Sequence, residues 1–345
     1  MGELFENILS SDESIFLNPQ FLDFDYQPKL VPFRESQQKY IATCIKPLLQ
    51  RRNGKNIIIL GKPGVGKTVS LRHVLNELKE EYSNEVYCLY INCWKRDTSF
   101  KIISEICQQI NYKWTHNKNF DELMNSASEI INEKSAVIIL DEADKLQDHN
   151  IIYNILEDFH RRCIILITND NDFVAKVDDR IRSRLIPDLI EFKPYNYDET
   201  ESILKQRTEY AFVPDVLEKE AFDSIIKKTF ACQDIRAGLF LFKQSGEIAE
   251  NNSSRKINLE YVRQAIVSLD IADLNTDKDT EAIINIIKEN SGKTKGEIFK
   301  IYESNEGKSY RTFQRKLKEL EDKKIISLKD EIYESGKRTI VNYAE

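Results

Sequence analysis

Four short apolar runs, Asn56 to Leu60, Val86 to Ile91, Ala136 to Leu140 and Cys163 to Thr168, punctuate the first half of the chain. Each is bounded by polar or turn residues and rich in β-branched side chains, which predicts strands. Around them apolar positions recur at helical spacing. Glu35 to Leu49 precedes the first run across an Arg51-Arg52-Asn53-Gly54-Lys55 turn, and Val69 to Lys79 follows it. Strands alternating with helices predict a parallel α/β sheet. From about Tyr195 the strand signal stops, and Asp198 to Glu209, Leu217 to Thr229 and Ile235 to Glu250 read as an all-helical segment. The acidic piece Asp273 to Asp279 reads as a linker. Beyond it lie three short helical patterns, Lys278 to Asn290, Lys295 to Ser304 and Ser309 to Leu320, separated by Ser291-Gly292 and Asn305-Glu306-Gly307. Two strand-like runs follow, Lys324 to Lys329 and Arg338 to Tyr343. The expected domains are 1–194, 195–272 and 278–345.

Composition narrows this picture rather than redrawing it. At roughly 150 residues per domain, 345 residues allow two or three domains. A 41% hydrophobic and 31% charged chain is ordinary globular composition, which excludes a disordered protein. No apolar run approaches the ~20 residues of a membrane helix. The first residues, with Glu3, Glu6, Asp12 and Glu13, are acidic where a signal peptide is basic. An intracellular, cytoplasmic protein without a membrane partner is expected, nucleoid-associated if prokaryotic. The six cysteines (Cys44, Cys88, Cys93, Cys107, Cys163, Cys232) form no CxxC pair, so neither a zinc site nor a disulfide framework is expected, and Cys88 and Cys93, flanking a strand-like run, read as buried thiols. His73, His116, His149 and His160 form no cluster.

The chemistry concentrates after the first strand. Gly61-Lys62-Pro63-Gly64-Val65-Gly66-Lys67-Thr68 matches G-x-x-x-x-G-K-[ST] between a strand and a helix that opens with Val69. Glycines let backbone N–H groups curl around phosphate oxygens, and the helix N-terminus adds its positive dipole end. Lys67 is expected to reach the β- and γ-phosphates and Thr68 to supply a hydroxyl to Mg²⁺, so the cofactors are ATP or ADP with Mg²⁺. The third strand ends in Asp141-Glu142. Asp141 is expected to hold the metal and Glu142 to polarise the attacking water. Asn169, at the tip of the next strand, would position that water. Three arginines follow in Asp179-Arg180-Ile181-Arg182-Ser183-Arg184-Leu185. Arg184 is the favoured stabiliser of γ-phosphate charge, with Arg180 and Arg182 as rivals, and such an arginine is often supplied in trans. In Gln233-Asp234-Ile235-Arg236, Arg236 opens a helix from which it would sense the γ-phosphate.

Net charge is −7, but it is unevenly distributed. From Lys308 to Lys324 the chain carries Lys308, Arg311, Arg315, Lys316, Lys318, Lys323 and Lys324 against Glu319, Glu321 and Asp322. In the helix predicted there, Phe313, Leu317 and Leu320 make an apolar stripe, leaving Arg311, Gln314, Arg315 and Lys318 on the opposite face. That is the composition of a recognition helix in a major groove. The turn Glu334-Ser335-Gly336-Lys337-Arg338 reads as a wing whose Lys337 and Arg338 would meet phosphates or the minor groove. A winged helix used for protein contacts is the alternative.

Over about residues 30 to 270 this order of parts resembles the AAA+ ATPases: Gly61 to Thr68 as Walker A, Val137 to Glu142 as Walker B, Asn169 as sensor 1, Arg184 as arginine finger and Arg236 as sensor 2. Finer features resemble the origin-recognition and Cdc-type initiators of archaea and eukaryotes. These are Pro32-Phe33-Arg34-Glu35-Ser36-Gln37, Tyr90-Ile91-Asn92-Cys93 with Thr98, and Ser183-Arg184-Leu185. The chain departs from that family at Gln233, where a glycine is usual, and in its acidity. The resemblance implies an AAA+ base domain, a helical lid and a C-terminal winged helix. It implies a weak Mg²⁺-dependent ATPase that binds double-stranded origin DNA, recruits or loads the replicative helicase, and associates with itself or other AAA+ subunits. A regulatory or transposition-associated ATPase whose winged helix binds proteins is the second reading, and a clamp-loader-like subunit the third.

Overall fold

The computed structural model describes residues 14–274, 278–305, 309–322, 325–333 and 336–343. The chain divides into two compact units, one formed by Asp23–Arg207 with Ile226–Arg236, the other by Met1–Leu22, Thr208–Ile225 and Ala237–Glu345.

In the first unit five strands form one parallel sheet: β1 (Ile57–Leu60), β2 (Val86–Asn92), β3 (Ser135–Asp141), β4 (Arg162–Thr168) and β5 (Asp188–Glu191), in the order β2-β3-β4-β1-β5. The four predicted strands are present, each within a residue of its expected bounds. The strand β5 has no counterpart in the sequence reading. It is an edge strand of four residues in which only Ile190 is buried, so it lacks the continuous apolar run that marks the others.

Helices cover both faces: α1 (Glu35–Ile45), α2 (Lys67–Tyr82), α3 (Ser99–Gln109), α4 (Phe120–Ile131), α5 (Asn150–Asp158), α6 (Phe173–Lys176) and α7 (Asp179–Leu185). The period-2 alternation of the strands sorts the core into two layers. Ile57, Ile59, Val137, Ile139, Ile165 and Ile167 pack with Ile41, Leu71 and Leu75 of α1 and α2. Ile58, Ile138, Leu140, Ile164 and Leu166 pack with Ile102, Leu123, Ile151 and Ile181 of α3, α4, α5 and α7. Because β1 sits between β4 and β5, the chain enters mid-sheet and leaves a crevice at the carboxyl ends of the strands, where α/β proteins bind ligands. Of the two thiols read as buried, Cys93 is buried and Cys88 only partly so, and Cys232 is exposed.

From Tyr197 the chain is helical: α8 (Tyr197–Ala211), α9 (Lys219–Cys232), α10 (Ile235–Asn251) and α11 (Leu259–Leu274). The helix α11 was not expected, and it takes up Asp273 and Leu274 of the stretch read as linker. In the second unit an N-terminal strap docks on these helices. Phe16 bridges and packs on Phe212 at 5.0 Å, while Ser14 Oγ and the Ile15 N–H donate to Glu250 Oε1 at 2.5 and 2.9 Å.

The C-terminal part of that unit comprises α12 (Lys278–Glu289), β6 (Lys293–Thr294), α13 (Lys295–Ser304), α14 (Tyr310–Asp322), β7 (Ile326–Tyr333) and β8 (Gly336–Tyr343). The three strands form an antiparallel sheet ordered β6-β8-β7 over a core that includes Ile283, Ile287, Ile298, Tyr302, Phe313, Leu317, Leu320 and Val341. This is the element order of a winged helix. The helix α12 absorbs Lys278 and Asp279, the far end of the expected linker. Among the described residues no helix is long and apolar enough to cross a membrane.

Two glycines give opposite expectations for the same substitution. A Cβ on Gly54, at the turn into β1, would lie 2.7 Å from Cys163 Cβ and 2.9 Å from the Cys44 carbonyl oxygen, whereas one on Gly296 of α13 meets nothing within 4 Å. Gly54→Ala should lower stability by about 1–3 kcal/mol, and Gly296→Ala should raise it by about 0.5–1 kcal/mol by restricting the unfolded chain and favouring helix. Urea midpoints of the two variants, moving in opposite directions, check both packing environments.

Candidate nucleotide site and nucleic-acid interface

The crevice is built where β1 runs out. Gly61, Gly64 and Gly66 have φ of +151°, +70° and +88°, which side-chain-bearing residues rarely adopt, and together they curl the loop into the start of α2. Space forbids a side chain too: a Cβ on Gly64 would lie 1.7 Å from Asp234 Oδ1. The loop is buttressed from outside by Arg34, which is 5% exposed. Its Nε donates to the Val65 carbonyl at 3.1 Å and Nη2 to the Lys193 carbonyl at 2.6 Å, while the guanidinium lies 3.9 Å from the Tyr195 ring centroid. Within the loop Val65 is buried, Lys62 and Pro63 are exposed, and Val69 is half-buried on the first turn of α2.

Lys67 is 7% exposed, and its three ammonium donors are all used. They reach the carbonyls of Gly61 at 2.6 Å and Lys62 at 2.7 Å and Oδ1 of Asn169 at 2.6 Å. Strand parity explains the last contact. Asn169 continues the Ile165 and Ile167 face of β4 toward α2, whereas Thr168 points the other way and donates to Asp144 Oδ1 at 2.9 Å. Burial pushes the Lys67 ammonium down to about 8, opposed chiefly by Asp141 and reinforced by the charge of Arg236.

Asp141 ends β3 only 4% exposed. Its Oδ2 accepts from Thr68 Oγ1 at 2.9 Å and from the Tyr90 hydroxyl at 2.5 Å, and its Oδ1 accepts the Glu142 N–H at 2.9 Å. Glu142 sits in the left-handed region with φ +57°, a strained position for a residue with a side chain. Burial, then the charges of Asp141 and Asp144, raise its carboxyl above the ordinary value, with Arg236 and Lys145 opposing.

Thus Lys67 is hydrogen-bonded to Asn169 and its neighbour Thr68 to Asp141, and Glu142 and Arg236 lie within electrostatic reach of them. Arg236 is exposed near the start of α10, its N–H bonded to Asp234 Oδ1 at 2.8 Å. Gln233, where the resembling family has glycine, takes φ +55° and accepts a hydrogen bond from Lys62 Nζ at 2.7 Å. The α7 arginines lie on that helix's exposed face because Ile181 and Leu185 hold the other in the core. Arg184 pairs with Glu157 and stacks 4.9 Å from the Tyr153 ring, both on α5, Arg182 pairs with Asp179, and Arg180 is exposed. The sequence reading placed Tyr90 and Arg34 only within the family resemblance and gave neither a role in the site. Neither lies near the loop in sequence; the signal for Tyr90 is a polar hydroxyl at the strand parity of Asn92.

On the C-terminal unit, Phe313, Leu317 and Leu320 of α14 are buried and Arg311, Gln314, Arg315 and Lys318 are exposed. Arg315 lies 3.8 Å from Glu319. Phe313 is clamped by Phe299 and Tyr302, at 5.3 and 5.5 Å between ring centroids. Lys316, a member of the basic stretch, is instead buried and donates to Thr280 Oγ1 at 2.5 Å, so it is withdrawn from the surface. The side chains of Lys337 and Arg338, the expected wing contacts, lie outside the described residues.

The Lys67 environment predicts a pH effect on folding. In the unfolded chain this lysine titrates near 10.5 and in the folded protein near 8, so between those values the unfolded state holds the extra proton and stability rises with pH. The stability of the wild type relative to Lys67→Met should therefore climb from about pH 8 toward 10.5. Parallel denaturation profiles for the two proteins would exclude the shift.

Residues 50–173 match a family model described as an AAA domain, and residues 201–267 one described as a Cdc6 AAA+ ATPase-type lid domain. The ORC1-type DNA replication protein 2 of Methanothermobacter thermautotrophicus is 30% identical over 339 residues, covering 93% of this chain and 89% of the relative. The ORC1-type DNA replication protein 1 of Sulfurisphaera tokodaii is 32% identical over 288 residues, covering 78% and 71%. The ORC1 protein of Aeropyrum pernix, solved in complex with DNA, shares the fold with a TM-score of 0.68 at 24% identity, covering 97% of this chain and 95% of that one. A nucleotide crevice with this order of parts, a Cdc6-type lid sequence and relatives matched along 71% and 89% of their length lead to one assignment: the chain belongs to the ORC1-type DNA replication proteins, a family of AAA+ ATPases.

Proposed function

We propose that the protein is an ATP-dependent replication initiator: it binds double-stranded origin DNA and recruits or loads the replicative helicase, with ATP binding and slow hydrolysis as the switch. The observation that carries this reading is the 30% identity to an ORC1-type replication protein along 93% of the chain. On this reading residues 1–194 are the AAA+ base, 195–272 the lid and 278–345 a DNA-binding winged helix. Association with itself or with other AAA+ subunits would let Arg184 act on a neighbour's nucleotide.

In the crevice, loop N–H groups and the start of α2 would receive the phosphates, and Lys67 would exchange its carbonyl partners for phosphate oxygens. Glu142, poised beside Asp141, would take the proton of the attacking water, Asn169 would orient that water, and Arg236 would report on the γ-phosphate. The donor set suits Mg²⁺, since Thr68 and Asp141 offer hard oxygens already hydrogen-bonded to each other. When bound, the ion would neutralise charge on the β- and γ-phosphates. In the winged helix, Arg311, Gln314, Arg315 and Lys318 would face the major groove, with Lys337 and Arg338 at the wing.

Lys67→Ala should abolish nucleotide binding, whereas Glu142→Gln should bind ATP normally and lose turnover. Equal turnover in Glu142→Gln and wild type removes Glu142 from the mechanism. On the DNA side, reversing Arg315 and Lys318 to glutamate should weaken duplex binding by at least tenfold and make its logarithmic salt dependence shallower by roughly one for each phosphate that the helix no longer neutralises. Unchanged affinity and salt slope would mean that α14 does not touch DNA. Recovery of the replicative helicase with the native protein tests the loading role, and recovery of a transposase or a sliding clamp instead would contradict it.

A further inference from the structure

Asp141 is gripped by a residue to which the sequence reading gave no role in the site. Tyr90 projects from β2, where Asn92 pairs in register with Asp141 and Tyr90 with Ile139, so parity sends Tyr90 and Asp141 to the same face of the sheet, toward α2. Its hydroxyl donates to Asp141 Oδ2, the oxygen that also accepts from Thr68. Three contacts hold the tyrosine in place. Gln109 of α3 pins its backbone from both sides, accepting from the Tyr90 N–H at 3.0 Å and donating to its carbonyl at 2.7 Å. Arg72, one turn beyond Thr68 on α2, lies 4.9 Å from the ring centroid. The Asp141 carboxylate therefore has one oxygen fixed by two hydroxyls and the other by the Glu142 N–H, and its plane cannot turn without breaking one of them.

We propose that Tyr90 is a positioning residue of the metal–nucleotide site, holding Asp141 as an oriented anion while the Thr68 oxygen turns to Mg²⁺. This rests on the reading of Thr68 and Asp141 as the metal-side residues. Thr68 has one proton, which it gives to Oδ2, and lone pairs that it would offer to the metal, so Tyr90 is the second donor to that same oxygen. The tyrosine proton is committed to the carboxylate alone, and a hydrogen bond to a charged acceptor in a buried site is among the stronger ones. Tyr90→Phe removes that one oxygen and keeps the ring, the Arg72 stacking and the Gln109 contacts.

The test compares wild type, Tyr90→Phe and Asp141→Asn for ATP affinity in EDTA and in Mg²⁺, and for Mn²⁺ binding to the nucleotide complex by electron paramagnetic resonance. Tyr90→Phe should match wild type in EDTA but lose about 3- to 10-fold of the affinity gained from the divalent ion, with Mn²⁺ bound correspondingly more weakly. A drop of equal size in EDTA and Mg²⁺ would make Tyr90 merely structural and overturn the proposal. So would metal-dependent binding in Tyr90→Phe equal to wild type while Asp141→Asn is impaired. If Mg²⁺ fails to tighten ATP binding in the wild type, or Asp141→Asn leaves that tightening intact, the metal reading itself falls.

Discussion

Burying an ammonium group costs free energy that nearby oxygens must offset, and the carboxyl edge of the sheet is organised around that requirement at Lys67. Two of its partners are carbonyls of the glycine loop, which bend inward because Gly61, Gly64 and Gly66 accept backbone angles that other residues avoid. The third is Asn169, carried to the spot by the alternation of β4. The carboxylate of Asp141 supplies the strongest opposing charge and is itself held by Thr68, Tyr90 and a backbone N–H. Loop, strand ends and helix start are thus tied by two sets of hydrogen bonds, one around Lys67 and one around Asp141, which meet at the adjacent residues Lys67 and Thr68.

Strain and burial recur at the same edge. Glu142 is held in the left-handed region, and burial, then the charges of Asp141 and Asp144, raise its proton affinity where a group that accepts a proton from water is proposed to act. Gln233 shows the same economy of position. The backbone there requires a positive φ, which accounts for glycine being usual in the family, and the side chain that replaces it is engaged by Lys62 of the loop. The acidic character of the whole chain does not extend to α14, whose outward side chains Arg311, Gln314, Arg315 and Lys318 are set by the aromatic clamp on Phe313. Local charge on a rigid face, rather than net charge, is what a phosphate backbone meets.

Much of this was legible along the chain because the physics is local. A buried parallel strand is a continuous apolar run, a phosphate loop needs glycines at set spacing before a helix, and a half-buried helix carries its stripe every three or four residues. Those rules located β1 to β4, Gly61 to Thr68, Asp141, Glu142 and the two faces of α14. They failed where local signal is weak. The edge strand β5 has one buried side chain, and α11 spreads its apolar residues around the helix rather than along one stripe.

Amino-acid order alone determined which chemical groups the protein owns and which face of each element they occupy, since side-chain direction follows from helical and strand periodicity. Tertiary structure alone decided which of those groups meet. That Tyr90 lies against Asp141, that Arg34 braces Val65, that Arg184 is engaged by α5 and that Lys316 turns inward to Thr280 depend on strand order and helix packing between residues distant in sequence. No local pattern encodes those neighbours, because the forces that select them, burial of apolar area and satisfaction of buried polar groups, act only once the chain has closed on itself.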